Sequence, residues 1–287
     1  MNCDLHNHSI YSDGTFTPEQ LVKEAERLGL SAIALTDHNT IMGLDRFFDC
    51  GKNSSVKLVG GIEFSTDYKG TELHILGLFV PKREQDNIES IMRKALKLKE
   101  QSNIDVVNKL SDMGYDISYE EIKNSSPSGK INRANIASVM VEKNIVESVS
   151  EAFEKFLNPK LGLYHPPKKL SSLEIIDVIN NMGAVSVLAH PFLDLKTEER
   201  LREFLLDAKV HNLDGMEVYY SKFTEEQTEC AKKLAEEFSL IKSGGSDFHG
   251  DNKPEISMGT GKGNLSIPYE CYENLERRYK EKNNIEI

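Results

Sequence analysis

The feature that most limits what this chain can fold into is a rhythm: short runs of small and branched apolar residues alternate with stretches of helical periodicity. Ser31 to Thr36 reads SAIALT, with no polar alternation. A run of that kind suits a strand buried on both faces, as in parallel sheets covered by helices. Cys3 to Ile10, Val56 to Phe64, Glu72 to Val80, Ala184 to Ala189, Gly215 to Tyr220 and Leu240 to Ser246 read as further strands. Thr17-Pro18-Glu19-Gln20 supplies an N-cap hydroxyl, a proline at the first helical position and a capping-box glutamine. The helix it opens is expected to run to Leu28 and to stop at Gly29. Asp67-Tyr68-Lys69-Gly70 has the composition of a hairpin turn. The pattern as a whole predicts an α/β fold in which helices alternate with strands.

From about Asp86 to Pro167 the rhythm gives way to charged amphipathic segments: Ile88 to Met113, Tyr119 to Lys123, Arg133 to Glu142 and Val149 to Phe156. These read as a helical insertion over residues 99–167, with the main domain made of residues 1–98 and 168–287. Asn124-Ser125-Ser126-Pro127-Ser128-Gly129 is expected to be a loop within it. No internal repeat is visible.

The residues able to do chemistry gather at the strand ends. His6 and His8 are two apart, a spacing that turns both imidazoles to one face of a strand. Asp13 follows in a Ser12-Asp13-Gly14 turn, His38 closes the second strand in Thr36-Asp37-His38, and Glu63 ends Gly61-Ile62-Glu63. His74 lies within a strand, His190 precedes Pro191 just after Val185 to Ala189, and Asp247 and His249 end the last strand in SDFHG. A lone strand-end histidine is more often a structural residue than a ligand. Six of the chain's eight histidines, placed this way together with carboxylates, point instead to a shared metal centre at the C-terminal rim of a barrel. His165, before two prolines, and His211, in a helix-to-strand loop, are expected to be non-ligands. Asp4 and Asp37 are expected to orient imidazoles rather than to bind metal themselves.

Composition narrows the partners. A formal net charge of −11 argues against a surface that coats long duplex nucleic acid or anionic membrane. No apolar run approaches the roughly 20 residues a membrane span needs, and the N-terminal residues lack a signal peptide's basic-then-apolar pattern. Cys3, Cys50, Cys230 and Cys271 form no CxxC pair, so neither a zinc knuckle nor a disulfide framework is expected, and a reducing cytoplasm is the expected location. The oligomeric state is not legible. Several divalent ions held by three carboxylates and neutral imidazoles would leave the site positively charged, which favours an anionic substrate in an otherwise acidic protein. Adjacent ions can lower the pKa of a bridging water from 15.7 to roughly 7 and supply hydroxide at neutral pH. Imidazole and carboxylate ligands without thiolate fit Mn²⁺, Fe²⁺ or Zn²⁺, with Mn²⁺ favoured.

The run DLHNHSIYSDG, followed by TDH, GIE, the strand histidine, AHP and SDFHG, resembles the PHP family, the phosphoesterase domain named for polymerases and histidinol phosphatases. The resemblance spans nearly the whole chain. It implies a distorted (β/α)7 TIM-like barrel with an inserted all-helical subdomain and three divalent metals. By the same resemblance His6, His8, Glu63 and Asp247 would hold the first metal; Glu63, His74 and His190 the second; and Asp13, His38 and His249 the third. Glu63, Asp247, His190 and Asp37 are the candidate catalytic residues.

The stretch from Ile131 to Ala137 and the helices after it resemble the branch of the family that carries a helical insertion. Members of that branch act on 3′,5′-nucleoside bisphosphates and short RNA 5′ ends. Arg133 matches that branch's phosphate-binding arginine, and a planar guanidinium suits bidentate phosphate capture. Asn132 and Asn135 stand where the branch has glycine and histidine, and Asn135 is taken with Arg133 as a substrate contact. Lys130, Lys168 and Lys169 are candidates to line the approach. A histidinol-phosphate phosphatase and a non-catalytic PHP module are the alternatives.

Overall fold

The computed structural model describes residues 1–125, 131–167 and 169–286. Ser126 to Gly129 of the expected loop, and Lys130 and Lys168, lie outside the described residues. The chain divides into two compact units, Met1–Ser90 with Leu170–Ile287, and Ile91–Lys169.

In the first unit seven strands form one sheet in sequential order. They are β1 (Cys3–Asp4), β2 (Ala32–Leu35), β3 (Lys57–Tyr68), β4 (Thr71–Leu78), β5 (Val185–Leu188), β6 (Gly215–Tyr220) and β7 (Ile241–Gly245). Most pairs are parallel, but β4 runs antiparallel to both β3 and β5 because the Asp67–Gly70 turn folds it straight back. The barrel is therefore not seven uniform βα units. Residues of the amino-terminal segment close it against β7: Leu5 N–H donates to Gly244 O at 3.1 Å and Asp247 N–H to His6 O at 3.0 Å.

The first strand was expected from Cys3 to Ile10, yet its regular ladder ends at Asp4. Beyond that point neighbours on both sides claim the chain. Leu5 and His8 donate to Gly244 and Phe248, while Thr36 N–H donates to Asn7 O and the Asn7 amide reaches Ala34 O. The close approach requires Gly245, where a Cβ would fall 2.1 Å from the Cβ of His6.

Helices α1 (Pro18–Leu28) and α2 (Leu44–Cys50) flank the first strands, and α3 (Gln85–Asp112) leads into the second unit. Thr17 and Gln20 form the reciprocal capping box of α1, and Gly29 ends it in the left-handed conformation, as the sequence predicts. The second unit continues with α4 (Tyr119–Ser125), α5 (Arg133–Glu142) and α6 (Val149–Ala152), the last running into a π-helical turn at Phe153–Leu157. It has its own apolar core, including Val106, Leu110, Ile136, Met140 and Leu157. The first unit resumes with α7 (Ser172–Asn181), α8 (Pro191–Asp194), α9 (Glu198–Val210), α10 (Glu225–Glu237) and α11 (Glu270–Lys282). Cys271, Tyr272 and Leu275 of α11 pack in one cluster with Cys3, Ala32, Val59, Leu78, Val185 and Val187. These residues lie toward the amino ends of the parallel strands and the carboxyl end of antiparallel β4, so α11 seals that end of the barrel with apolar surface. Polar chemistry is left to the other end.

Candidate metal centre

Strand parity brings the first residues together. Ser65 of β3 faces His74 of β4, and Glu63, two residues from Ser65, shares that face. The Glu63 Oε1 accordingly sits 2.7 Å from His74 Nδ1 and 3.0 Å from His190 Nε2. Its second oxygen, Oε2, lies 3.1 Å from His6 Nε2, 3.1 Å from His8 Nε2 and 3.0 Å from His38 Nδ1. Asp247 Oδ1 is 3.2 Å from His8 Nε2, and Asp13 Oδ1 is 3.2 Å from His249 Nε2. All nine candidate ligands therefore fall in one continuous cluster. Donor atoms of His6, His8, Glu63 and Asp247 lie within 4.8 Å of one another, as do those of His8, Asp13, His38 and His249, and those of His38, Glu63 and His74. His8 and His38 thus stand between neighbouring groups. His190 joins through Glu63.

Most of the cluster is buried, with His38 and His74 half-buried and Asp13 exposed at its edge. Glu63 and His6 are fully enclosed, yet His6 Nε2, His8 Nε2, His38 Nδ1, His249 Nε2 and Glu63 Oε2 have no hydrogen-bond partner. Their contacts are close without being directed along N–H bonds. Leaving several buried polar atoms unsatisfied would cost about 1–3 kcal/mol each. Donors about 2.0–2.2 Å from a shared cation stand roughly 3–3.5 Å apart, which is the spacing seen here. The donor set fits divalent cations.

The electrostatics carry the same signature. Burial would raise the Glu63 carboxyl, but the facing imidazoles of His6, His190 and His38 override it and hold its pKa well below the carboxylate range. Asp247 is depressed in the same way, against burial, by His8 and His6. Burial opposes a proton on His74, but the hydrogen bond to Glu63 and the neighbouring Glu72 raise its pKa to about 10. His190 is likewise raised to about 9, against burial, by Asp194 and Glu63. Carboxylates held ionised among imidazoles are the charge pattern that suits a bound cation.

Two of the cluster's residues occupy strained backbone. His190 has φ 26° and Asp247 φ 59°, left-handed values that non-glycine residues rarely adopt. The strain turns each side chain inward at the end of its strand.

Asp4 and Asp37 do not touch imidazoles. Asp37 accepts from Ser9 N–H and Ser9 Oγ, both at 2.7 Å, and from Ser12 Oγ at 2.6 Å, so it organises the turn that carries Asp13. Asp4 accepts from Ser246 N–H at 2.9 Å and Gly259 N–H at 2.7 Å and fixes the turn before Asp247. Their expected role falls to other groups. Glu217 Oε1 lies 3.0 Å from His6 Nδ1, and the Asp247 carbonyl lies 2.8 Å from His249 Nδ1. Tyr220 and Lys253 both donate to Asp247 Oδ2 at 2.9 Å. Sequence reasoning missed Glu217, Tyr220 and Lys253. The available signal was one carboxylate inside the otherwise uncharged GMEVYY strand.

Of the remaining candidates, His211 pairs with Asp177 at 2.8 Å, and His165, in the second unit, is exposed. The guanidinium of Arg133 lies over the ring of Tyr164 at 4.7 Å, and its Nη1 donates to Leu157 O at 3.1 Å. Asn135 Oδ1 accepts from Asn132 N–H at 2.8 Å, and Asn132 caps α5 in return.

A barrel whose imidazoles and carboxylates converge on one rim, in groups that could hold metal, defines a protein of the metal-dependent hydrolase type. The PHP domain signature matches residues 4–239, and the chain belongs to the PHP family. It is 30% identical to a 5′-3′ exoribonuclease of Haemophilus influenzae over 86% of this chain and 89% of that one. It is 25% identical to a 3′,5′-nucleoside bisphosphate phosphatase of Chromobacterium violaceum over 86% of this chain and 87% of that one. Among solved structures it is similar to a protein of Bifidobacterium adolescentis described as a metal-dependent phosphoesterase, with TM-score 0.66, 27% identity and 96% of each chain covered.

Proposed function

We propose that this protein is a metal-dependent phosphoester hydrolase that acts on 3′,5′-nucleoside bisphosphates or on the 5′ ends of short RNA. The observation that carries the reading is Glu63 Oε2, a buried carboxylate oxygen with three imidazole nitrogens at 3.0–3.1 Å and a hydrogen bond to none. His6, His8, Glu63 and Asp247 would hold one cation, Glu63, His74 and His190 a second, and Asp13, His38 and His249 a third. Mn²⁺ is favoured over Fe²⁺ and Zn²⁺. When bound, the cations supply Lewis acidity and an acidified water for in-line displacement at phosphorus.

The chain's own residues prepare that chemistry. Glu63 serves two groups through its two oxygens. Asp247 presents Oδ1 to the cluster while Tyr220 and Lys253 hold Oδ2, which fixes the carboxylate's rotation. Asp37 sets the turn bearing Asp13, and His190 closes the site from β5. We assign Arg133, with Asn135, to substrate phosphate. The Leu157 bond uses one of five guanidinium donors, and the stacking on Tyr164 pre-orders the plane. The names of the exoribonuclease and bisphosphate phosphatase relatives support this substrate class. Residues 99–167 are proposed to act as the substrate-binding insertion. A cytoplasmic location is supported by four free cysteines; among the described residues no helix is long and apolar enough to cross a membrane.

Assay of the Mn²⁺-loaded protein against a 3′,5′-bisphosphonucleotide, a short 5′-phosphorylated RNA and histidinol phosphate tests the assignment. Turnover of either of the first two is expected. Turnover of histidinol phosphate alone overturns the substrate class, and no turnover on any of them overturns the catalytic reading.

A further inference from the structure

Glu217 belongs to none of the ligand groups, yet it is fully buried beside them. Its placement depends on an irregularity in β6. The register with β7 pairs Glu217 with Ser243 and then Tyr219 with Gly244, so Val218 is the extra residue of a bulge. In a regular strand, residues three apart face opposite sides. Across this bulge Glu217 and Tyr220 both reach the cluster, one at His6 and the other at Asp247.

The two oxygens of Glu217 meet two different nitrogens. Oε1 lies 3.0 Å from His6 Nδ1, and Oε2 accepts the backbone N–H of His190 at 2.7 Å, at the residue whose φ is 26°. The distal nitrogen of His6, Nε2, points at Glu63 and Asp247. An imidazole can give Nε2 to a cation only if the ring's proton sits on Nδ1, and a proton there needs an acceptor.

We propose that Glu217 is a positioning residue that sets the His6 tautomer and, through its second oxygen, pins the strained turn of His190. One side chain thus prepares ligands from two separate strands. The inference rests on the metal-site reading above. Only a carboxylate offers an acceptor to both donors. In Glu217→Gln one acceptor becomes an NH₂ donor. If the amide oxygen keeps His190, the NH₂ faces His6 Nδ1 and favours the tautomer with its proton on Nε2, aimed at the cation position. If the oxygen keeps His6, the NH₂ opposes the His190 N–H and the turn loosens. Either arrangement weakens the cluster with almost no change in volume.

The test compares wild-type protein and Glu217→Gln by metal content after Mn²⁺ loading and dialysis, and by long-range ¹H–¹⁵N spectra of the histidines in Zn²⁺-loaded protein. The expected result is a 10–100-fold loss of metal affinity, with at least one ion per chain lost and the His6 pattern altered or absent. Glu217→Asp keeps both acceptors but withdraws them by one methylene. It is expected to lose less than Gln, and it serves as the readout if the Gln variant does not fold. Wild-type metal affinity in the folded Gln variant, or in the Asp variant if Gln does not fold, overturns the role of Glu217. A wild-type protein that holds no metal overturns the site reading itself.

Discussion

Two buried carboxylates of the same barrel show how differently enclosed charge can be used. Asp214, just before β6, accepts from Ser186 N–H at 2.9 Å, Ser186 Oγ at 3.1 Å and Arg278 Nε at 2.8 Å, and from Lys282. The two cations come from α11, so this carboxylate clasps the helix that seals the barrel. Glu63 is equally enclosed, but its Oε2 faces nitrogens of His6, His8 and His38 that leave it and themselves unsatisfied. Buried polarity that completes itself is structure. Polarity left unsatisfied among imidazoles and carboxylates, with His190 and Asp247 in strained backbone beside it, is the donor set of a cation site.

Exchanging the two carboxylates' fates gives the largest expected effects. Glu63→Ala should strip metal and lower kcat/KM on the order of 10³-fold or more, beyond the 10–100-fold typical of an outer residue, with the fold retained by circular dichroism. Asp214→Ala should do the reverse. Removing one partner of a buried ion pair costs about 3–5 kcal/mol, read as a lower denaturation midpoint, while metal per folded chain stays at the wild-type value. If Asp214→Ala lost metal in the folded state, the two regions would not be independent.

The contrast also has a pH signature. His74 and His190 have pKa values of about 10 and about 9 in the metal-free protein, above ~6.5 for an unfolded chain. The stability they contribute is complete below pH ~6.5 and is lost as pH rises through 9 to 10. Glu63 and Asp247 are depressed, so their contribution is present above the unfolded carboxylate pKa of ~4 and is lost as pH falls. The metal-free Tm should therefore peak near pH ~5–6 and decline toward pH 10. Metal binding at pH 8 should release protons, measurable by calorimetry in buffers of different ionisation enthalpy. A metal-free Tm that climbs from pH 7 to 10 would contradict the cluster's electrostatics.

Smaller effects belong to the second unit. Arg133→Ala should leave metal content unchanged and raise KM by an amount worth about 1–3 kcal/mol, as seen in initial-rate kinetics; an unchanged KM removes Arg133 from the substrate assignment. Asn132→Ala should cost about 1 kcal/mol of stability through the lost α5 cap, with kinetics near wild type.

Much of the cluster was legible in the sequence because most candidate ligands sit at strand ends or in turns that a local pattern marks, with His74 inside its strand. HxH gives parity, TDH and SDFH close apolar runs, and proline follows His190. Glu217 was missed although it is the one carboxylate of its strand, because the bulge at Val218 breaks the two-residue period by which a strand's faces are read. The early end of β1 was hidden for a related reason. Alternation shows that a segment is extended, but not that both neighbouring strands will compete for its hydrogen bonds. Asp4 and Asp37 were misjudged because spacing shows proximity to a ligand, not whether an imidazole or a turn amide will claim the carboxylate.

The most direct test of the central claim is to locate the ions. Crystals grown from Mn²⁺-loaded protein, with data collected at the manganese absorption edge, should show three anomalous peaks among His6, His8, Asp13, His38, Glu63, His74, His190, Asp247 and His249. No peak there, or peaks elsewhere on the molecule, would contradict it.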